Sequence, residues 1–276
     1  MSQLSANRTL INVIGIPAIL FLLWRGGPMF ALFIFLVMII GIDEFYRMNT
    51  NERQTPVKVT GYILTGLMAA YYFWLPGIAL LEGLLLLACF IIISLFIEMG
   101  RDKLNSTRNI GITVLGIMYV PVLLGSVIAL RNLDTVNSTY FTVSMIVAIW
   151  ICDSAAFIFG MKWGQKKIFP RVSPNKSWVG SIAGLLSSFG VFYGLHTWGI
   201  LPDLTLLDIA ALSIITGFFG QAGDFAESLL KRDVGVKDSG KLLLGHGGVL
   251  DRFDSITFAS PLTYAYITLI YYPRLF

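Results

Sequence analysis

Charge is what this 276-residue sequence has least of: Asp, Glu, Lys and Arg make up 13% of it against 56% hydrophobic residues. A soluble domain carries about a quarter charged residues. With a mean hydropathy of +0.76, a water-soluble globular fold is excluded in favour of an integral membrane protein. Cysteine is nearly absent too. Cys89 and Cys152 both lie in apolar runs, so a disulfide framework and a Cys/His zinc site are excluded, and both thiols are expected to be buried packing residues. The sequence has no GxxxxGK[ST] and no GxGxxG, which removes the common nucleotide-loop folds. No internal repeat is visible, so an inverted-repeat transporter gains no support. The net charge of +4 needs no nucleic-acid partner to explain it, because membrane proteins carry extra Lys and Arg on one side. Arg8 precedes an apolar stretch, but "LLWRGGPMF" lacks the small-residue pattern of a cleavable leader.

What the sequence does have is long apolar runs. About nine reach the length of a membrane helix, over roughly 9–24, 28–46, 58–75, 77–98, 109–130, 140–160, 178–199, 205–224 and 254–272. The expected fold is therefore all-α: a polytopic membrane protein with a polar site in its C-terminal half. It divides into an N-terminal part, 1–135 with spans one to five, and a C-terminal part, 136–276 with spans six to nine. The loops sort by charge. All but four of the 20 Lys and Arg residues follow even-numbered spans; the exceptions are Arg8, Arg25, Arg131 and Arg274. The positive-inside rule then makes the even loops cytoplasmic and puts both termini outside. The first two cytoplasmic loops read as ordinary solvated connections. Glu44, at the end of span two, fits that reading or joins a polar site.

The last two cytoplasmic loops are different. Asp153 falls within span six, where an ionisable group is costly and marks a functional site or a structural pair with a lysine. Gly160 and Gly164 form a small-xxx-small step suited to close helix packing or to a ligand. In "SPNKSWVG", Pro174 and Asn175 supply turn chemistry and Ser177 can cap the following helix. Asp224, Glu227, Ser228 and Lys231 stand at i, i+3, i+4 and i+7, on one face of a helix. Such a face suits either a hard cation with an ammonium one turn on or a salt-bridged helix end. Beyond it come Lys237-Asp238, Gly245-His246-Gly247-Gly248 and Asp251-Arg252-Phe253-Asp254. Glycines there permit positive φ and close approach, and successive N–H groups can cup an anion. Basic side chains, a glycine turn and carboxylates together fit a metal-bound polyphosphate. His196, in span seven, reads as structural.

The run Ser228–Asp254 resembles the signature of the phosphatidate cytidylyltransferases. The matching residues are Ser228, Leu230, Lys231 and Arg232; Lys237 and Asp238; His246, Gly247 and Gly248; and Asp251, Arg252 and Asp254. Earlier family segments match at Asp153–Phe157 with Gly160 and at Ser173–Ser177. The sequence departs from the pattern at Asn175 and at Trp178-Val179, where an acidic residue beside Gly180 is expected. The resemblance implies CTP and phosphatidate as substrates, CDP-diacylglycerol and pyrophosphate as products, a homodimer, and a bacterial cytoplasmic membrane with the site facing the cytoplasm. It implies Mg²⁺, with K⁺ as a second cation, held by Asp224 and Asp251. Lys237 and Asp238 join these two as catalytic residues. Substrate would be bound by Asp153, Asn175, Lys176, Ser177, Ser228, Lys231, Arg232, Lys241, His246, Gly247, Gly248 and Arg252. A phosphate monoester with a second pKa near ~6 is already dianionic at neutral pH, so no general base is required and His246 is expected to donate a hydrogen bond or shape the turn. A CTP-dependent lipid kinase and an ion-coupled transporter are the alternative readings.

Overall fold

Apolar side chains on all sides of a segment suit a helix in hydrocarbon, because a helix satisfies its own backbone. The computed structural model describes residues 15, 17–74, 80–133, 137–242 and 247–275, and among these every regular element is helical, with no strand. The first helices are α1 (Gly27–Met48), α2 (Lys58–Trp74), α3 (Leu80–Arg101) and α4 (Ser106–Ile117). A wide π turn, Met118–Leu124, carries α4 into α5 (Gly125–Arg131). Pro121 lies inside that turn; it has no N–H to donate, which favours a local change of helical pitch. Next come α6 (Ser138–Trp163), α7 (Trp178–Thr197) and α8 (Leu206–Ile214), then a π turn, Ile215–Phe219, running into α9 (Gly220–Asp233). The last are α10 (Leu250–Tyr266), a third π turn, Ile267–Tyr271, and α11 (Tyr272–Leu275).

Six of these helical runs are long and apolar enough to cross a membrane: Gly27–Met48, Gly83–Arg101, Ser106–Arg131, Ser138–Trp163, Trp178–Thr197 and Leu206–Asp233. The expected span 58–75 falls on α2, of 17 residues, and 254–272 falls on α10 with the π turn Ile267–Tyr271 and the start of α11. Of the first expected span, only 15 and 17–24 are described, and they are helical. The eighth expected apolar span ends near 224, and the helix runs on to Asp233, carrying the face of Asp224, Glu227, Ser228 and Lys231 as their spacing predicts.

The chain forms two compact units, Met1–Leu133 with Asp238–Arg252, and Asp134–Lys237 with Phe253–Phe276. In the first, Tyr46 of α1 lies against Gly61 of α2 and Gly116 of α4, where any Cβ would collide with its ring. Its hydroxyl donates to the Thr113 carbonyl at 3.0 Å. Between helices in lipid the attraction comes from such close packing and from hydrogen bonds rather than from excluded water. The first connecting loops are more than solvated linkers. Buried Glu98 accepts from Arg101 Nη1 at 2.8 Å and from Asn109 Nδ2 at 2.5 Å, and Asn109 Oδ1 accepts from the Thr55 amide. Elsewhere α3 shows Leu84, Leu85, Ile92 and Phe96 on its surface, an apolar face suited to hydrocarbon. Cys89 is exposed on this helix, so of the two thiols only Cys152 is buried.

In the second unit α6 and α7 run antiparallel along a seam of small residues. Ser188 Oγ reaches the Ala148 carbonyl at 3.5 Å; a Cβ on Gly184 would meet Cys152, and one on Gly180 would meet Ala156 and Gly160. Gly160 thus serves packing, whereas Gly164 ends α6 as its C-cap. At one end of this unit, wholly buried Asp208 accepts from Arg274 at 2.8 and 2.7 Å and from Tyr266 at 2.6 Å, and completes a capping box with Thr205.

Candidate functional site

The polar face expected of α9 is present. Glu227, Ser228 and Lys231 are buried and Asp224 is half-buried. Lys231 Nζ donates to Glu227 Oε2 at 2.7 Å, and Ser228 Oγ lies 3.4 Å from Asp224 Oδ1. One turn earlier, Gln221 Nε2 donates to the Gly217 carbonyl at 2.6 Å and to Ser181 O at 3.1 Å. It thereby ties α9 to α7 and to the π turn. Gly223 has the Asp254 carbonyl so near that a Cβ would meet it at 2.5 Å. This brings Asp254 within electrostatic range of Asp224 and Glu227.

The loop before α7 adds the cation. Short backbone pairs, Ile168 N to Lys176 O at 3.3 Å and Trp178 N to Lys166 O at 3.1 Å, fold 166–178 back on itself. Ser177 caps α7 by accepting from the Gly180 amide at 3.3 Å. Lys176 is thereby carried to Asp224, with which it forms an ion pair, and its ammonium lies 4.5 Å from the centre of the Phe225 ring. Asp153, exposed on α6, is also within electrostatic range of Asp224 and Lys176. The structure thus brings together Asp153, Lys176, Asp224, Ser228 and Lys231 from the expected set, and adds Glu227 and Asp254. Asn175 is exposed, and its carbonyl accepts from Lys167. Arg232 is engaged with backbone: Nη1 donates to Val236 O at 2.9 Å and Nε to Val172 O at 3.3 Å. His196 stands in the last turn of α7, a 20-residue helix with Ser177 at its other end, so roughly 30 Å of helix separates it from this cluster.

Asp251 lies in the first unit. Its Oδ2 accepts from the amides of Gly248 at 2.7 Å and Ser239 at 3.0 Å. Gly247 has φ +82°, a left-handed conformation that glycine adopts without strain. Gly248 has no room for a Cβ beside Ser239 and Glu44. Of the glycine-turn amides expected to cup an anion, that of Gly248 is taken up from within by Asp251, and the two amides that follow, Val249 and Leu250, donate to Glu44. Lys237, Asp238, Lys241 and Arg252 are exposed. Gly245 and His246 lie outside the described residues. Among the described residues no three His, Cys, Asp or Glu side chains form a ready metal cage.

Residues 6–270 match the cytidylyltransferase family. The chain belongs to the cytidylyltransferase family. It is 32% identical to the phosphatidate cytidylyltransferase of Staphylococcus haemolyticus (strain JCSC1435), over 92% of this chain and 96% of that protein. It is also 32% identical to the phosphatidate cytidylyltransferase of Bacillus subtilis (strain 168), over 95% and 97%. That of Staphylococcus saprophyticus is 31% identical, over 92% and 96%. The family likeness therefore runs through the N-terminal helices as well, where the sequence offered only apolar spans. Gln221 and Asp254 were not singled out as site residues in the sequence, and Glu44 was left between a solvated connection and a polar site. Asp254 had a signal, since it closes the signature; Glu44 had only the oddity of a carboxylate inside a helix end.

Proposed function

We propose that this chain is a phosphatidate cytidylyltransferase, which joins CTP and phosphatidate to give CDP-diacylglycerol and pyrophosphate. The observation that carries the reading is the Lys176–Asp224 pair on the polar face of α9, the end of a helical run long and apolar enough to cross a bilayer. In a family that handles cytidine nucleotides, this is where charge meets the lipid phase. A phosphate monoester oxygen of phosphatidate attacks the α-phosphorus of CTP; the new P–O bond forms as the bond to the β-phosphate oxygen breaks. The nucleophile is dianionic above pH ~6, so the chain has to suppress repulsion between anions rather than remove a proton. Lys176 and Lys231 supply positive charge beside Asp224, and exposed Lys237, Lys241 and Arg252 are the further phosphate ligands of this reading. Arg252 is suited to a two-point contact.

Asp224 fits Mg²⁺. It offers hard oxygen donors beside the Ser228 hydroxyl, and Mg²⁺ needs only one or two carboxylates when phosphates complete its shell. When bound, the metal neutralises charge on the phosphates and the leaving pyrophosphate. Asp251 supplies a second carboxylate, with K⁺ as the second cation. We further propose nine membrane crossings with both termini outside, a cytoplasmic site in a bacterial cytoplasmic membrane, and a homodimer.

The test is incubation of the purified protein with CTP and phosphatidate in mixed micelles, followed by mass spectrometry. CDP-diacylglycerol with pyrophosphate is the expected outcome. Release of CDP would mean a lipid kinase instead. Absence of any nucleotide product, with ion-driven solute uptake in vesicles, would mean a transporter.

A further inference from the structure

Glu44 is a carboxylate in the last two turns of α1, 6% exposed, and among the described residues the donors to its oxygens come from one distant segment of chain. Oε1 accepts from the Val249 amide at 3.0 Å; Oε2 accepts from the Leu250 amide at 2.9 Å and from the Ser239 hydroxyl at 3.0 Å. Val249 and Leu250 open α10, so these are N–H groups that the helix itself cannot satisfy. The positive end of that helix also stabilises the buried charge. Gly41, one turn before Glu44, leaves space for Leu250 to rest on α1. Gly240 and Gly248 fit around the carboxylate so closely that neither has space for a Cβ.

The same segment holds Asp251. The Ser239 hydroxyl lies 3.0 Å from Glu44 Oε2 and 3.1 Å from Asp251 Oδ2, so one proton links two carboxylates. The Ser239 amide and the Gly248 amide both donate to Asp251. Removing the Glu44 carboxylate would release Val249, Leu250 and Ser239 together, and these flank or directly hold the aspartate.

We infer that Glu44 is a positioning residue: it holds Ser239 and the start of α10 in place and, through Ser239, fixes the orientation of the Asp251 carboxylate. The inference rests on the reading of Asp251 as part of the catalytic machinery. Glutamine replaces Glu44 only in part, because it keeps one acceptor oxygen for the three donors and points its NH₂ at the amide left over. Aspartate is one methylene short of reaching both amides and the hydroxyl.

The experiment compares Glu44→Gln, Ser239→Ala, Asp251→Asn and wild type as full-length protein in nanodiscs. Hydrogen exchange is followed by mass spectrometry, and steady-state kinetics are measured alongside. In Glu44→Gln, the amides of Ser239, Val249 and Leu250 should exchange at least about tenfold faster, while peptides from α6 and α9 are unchanged. The turnover number should fall about 100-fold, as expected for a reacting group displaced by about 1 Å, with KM for CTP changed much less. Ser239→Ala keeps both amide bonds to Glu44, so it should lose turnover while exchange at 249–250 stays slow. Unchanged local exchange with normal turnover in Glu44→Gln would overturn the inference. If Glu44→Gln loosens the whole protein, Ser239→Ala decides: reduced turnover with native exchange supports the link through the hydroxyl, and normal turnover overturns it. An active Asp251→Asn protein would instead defeat the reading of Asp251 itself, and the two failures are thereby told apart.

Discussion

Lys176 and Asp224 are joined as an ion pair, one from the turn before α7 and the other from the polar face of α9. The lysine is held by the cap at Ser177 and by the ring of Phe225. Asp224 has two other carboxylates, Asp153 and Asp254, in electrostatic range. Without the ammonium, three carboxyl groups would be left close to one another. A charge-assisted hydrogen bond is worth about 1.5–3 kcal/mol, so Lys176→Ala should lower kcat/KM for CTP by about 10–100-fold. Lys176→Arg should recover part of the loss. Steady-state kinetics at saturating phosphatidate checks both.

Asp224→Asn and Asp251→Asn should each reduce turnover by about 100-fold or more, because each removes a formal charge from a proposed cation ligand. Amide and carboxylate are nearly the same size, so thermal unfolding should stay close to wild type. Near-normal turnover in both variants would remove the assignment.

Basic residues should divide by loop. Lys237→Ala and Arg252→Ala should cost activity, whereas Lys103→Ala and Arg53→Ala should leave it intact. Arg101 makes a third class. Its guanidinium pairs with buried Glu98 at 2.8 Å, and removing one partner of a buried pair strands the other charge. Arg101→Ala should lower the unfolding midpoint by several degrees with little change in kcat for the folded fraction. Equal losses of turnover in the early and late loops would show that the site has been misplaced.

The pH–rate profile should carry an acidic limb near pH ~6, where phosphatidate gains its second proton and becomes a poorer nucleophile. Nearby cations would move that limb downward. Activity is therefore full above this range and falls as the pH drops through it. A histidine base would titrate near ~6.5 in the wild type, so only the variant separates the cases. His246→Asn should keep the limb even if the rate falls; a flat profile would assign the ionisation to the histidine.

The helical elements were legible because hydropathy reports the solvent a segment lives in, and lipid leaves a strong mark on sequence. Hydropathy marks where the apolar run gives out, near Gln221, and not where the helix ends, which is Asp233. The i, i+3, i+4, i+7 face of Asp224, Glu227, Ser228 and Lys231 could be read directly, since period alone fixes it. Pairings across the chain could not. Lys176 meets Asp224 because a folded-back turn carries it there. Glu44 binds Leu250 across 206 positions of sequence, and no local pattern encodes that. The glycines were recognised as sites of close approach, but not that the approaching group is a carboxylate from α1.

The π turn at Ile215–Phe219 bears on the aim of Asp224. Its widened loop, closed by the Gly220 amide on the Ile215 carbonyl and steadied by Gln221 on Gly217, fits one more residue into the rod than an α-helix would. Each residue of an α-helix turns the chain by about 100°. Loss of a single in-frame codon there, for example that of exposed Phe218, would leave an apolar, helical and membrane-ready sequence. Because the widened turn already absorbs the extra residue, its loss would let the rod close to a regular α-helix with Asp224, Glu227, Ser228 and Lys231 still on nearly the same face. The π turn is therefore slack in the rod: one residue can be lost there without turning the polar face from Lys176.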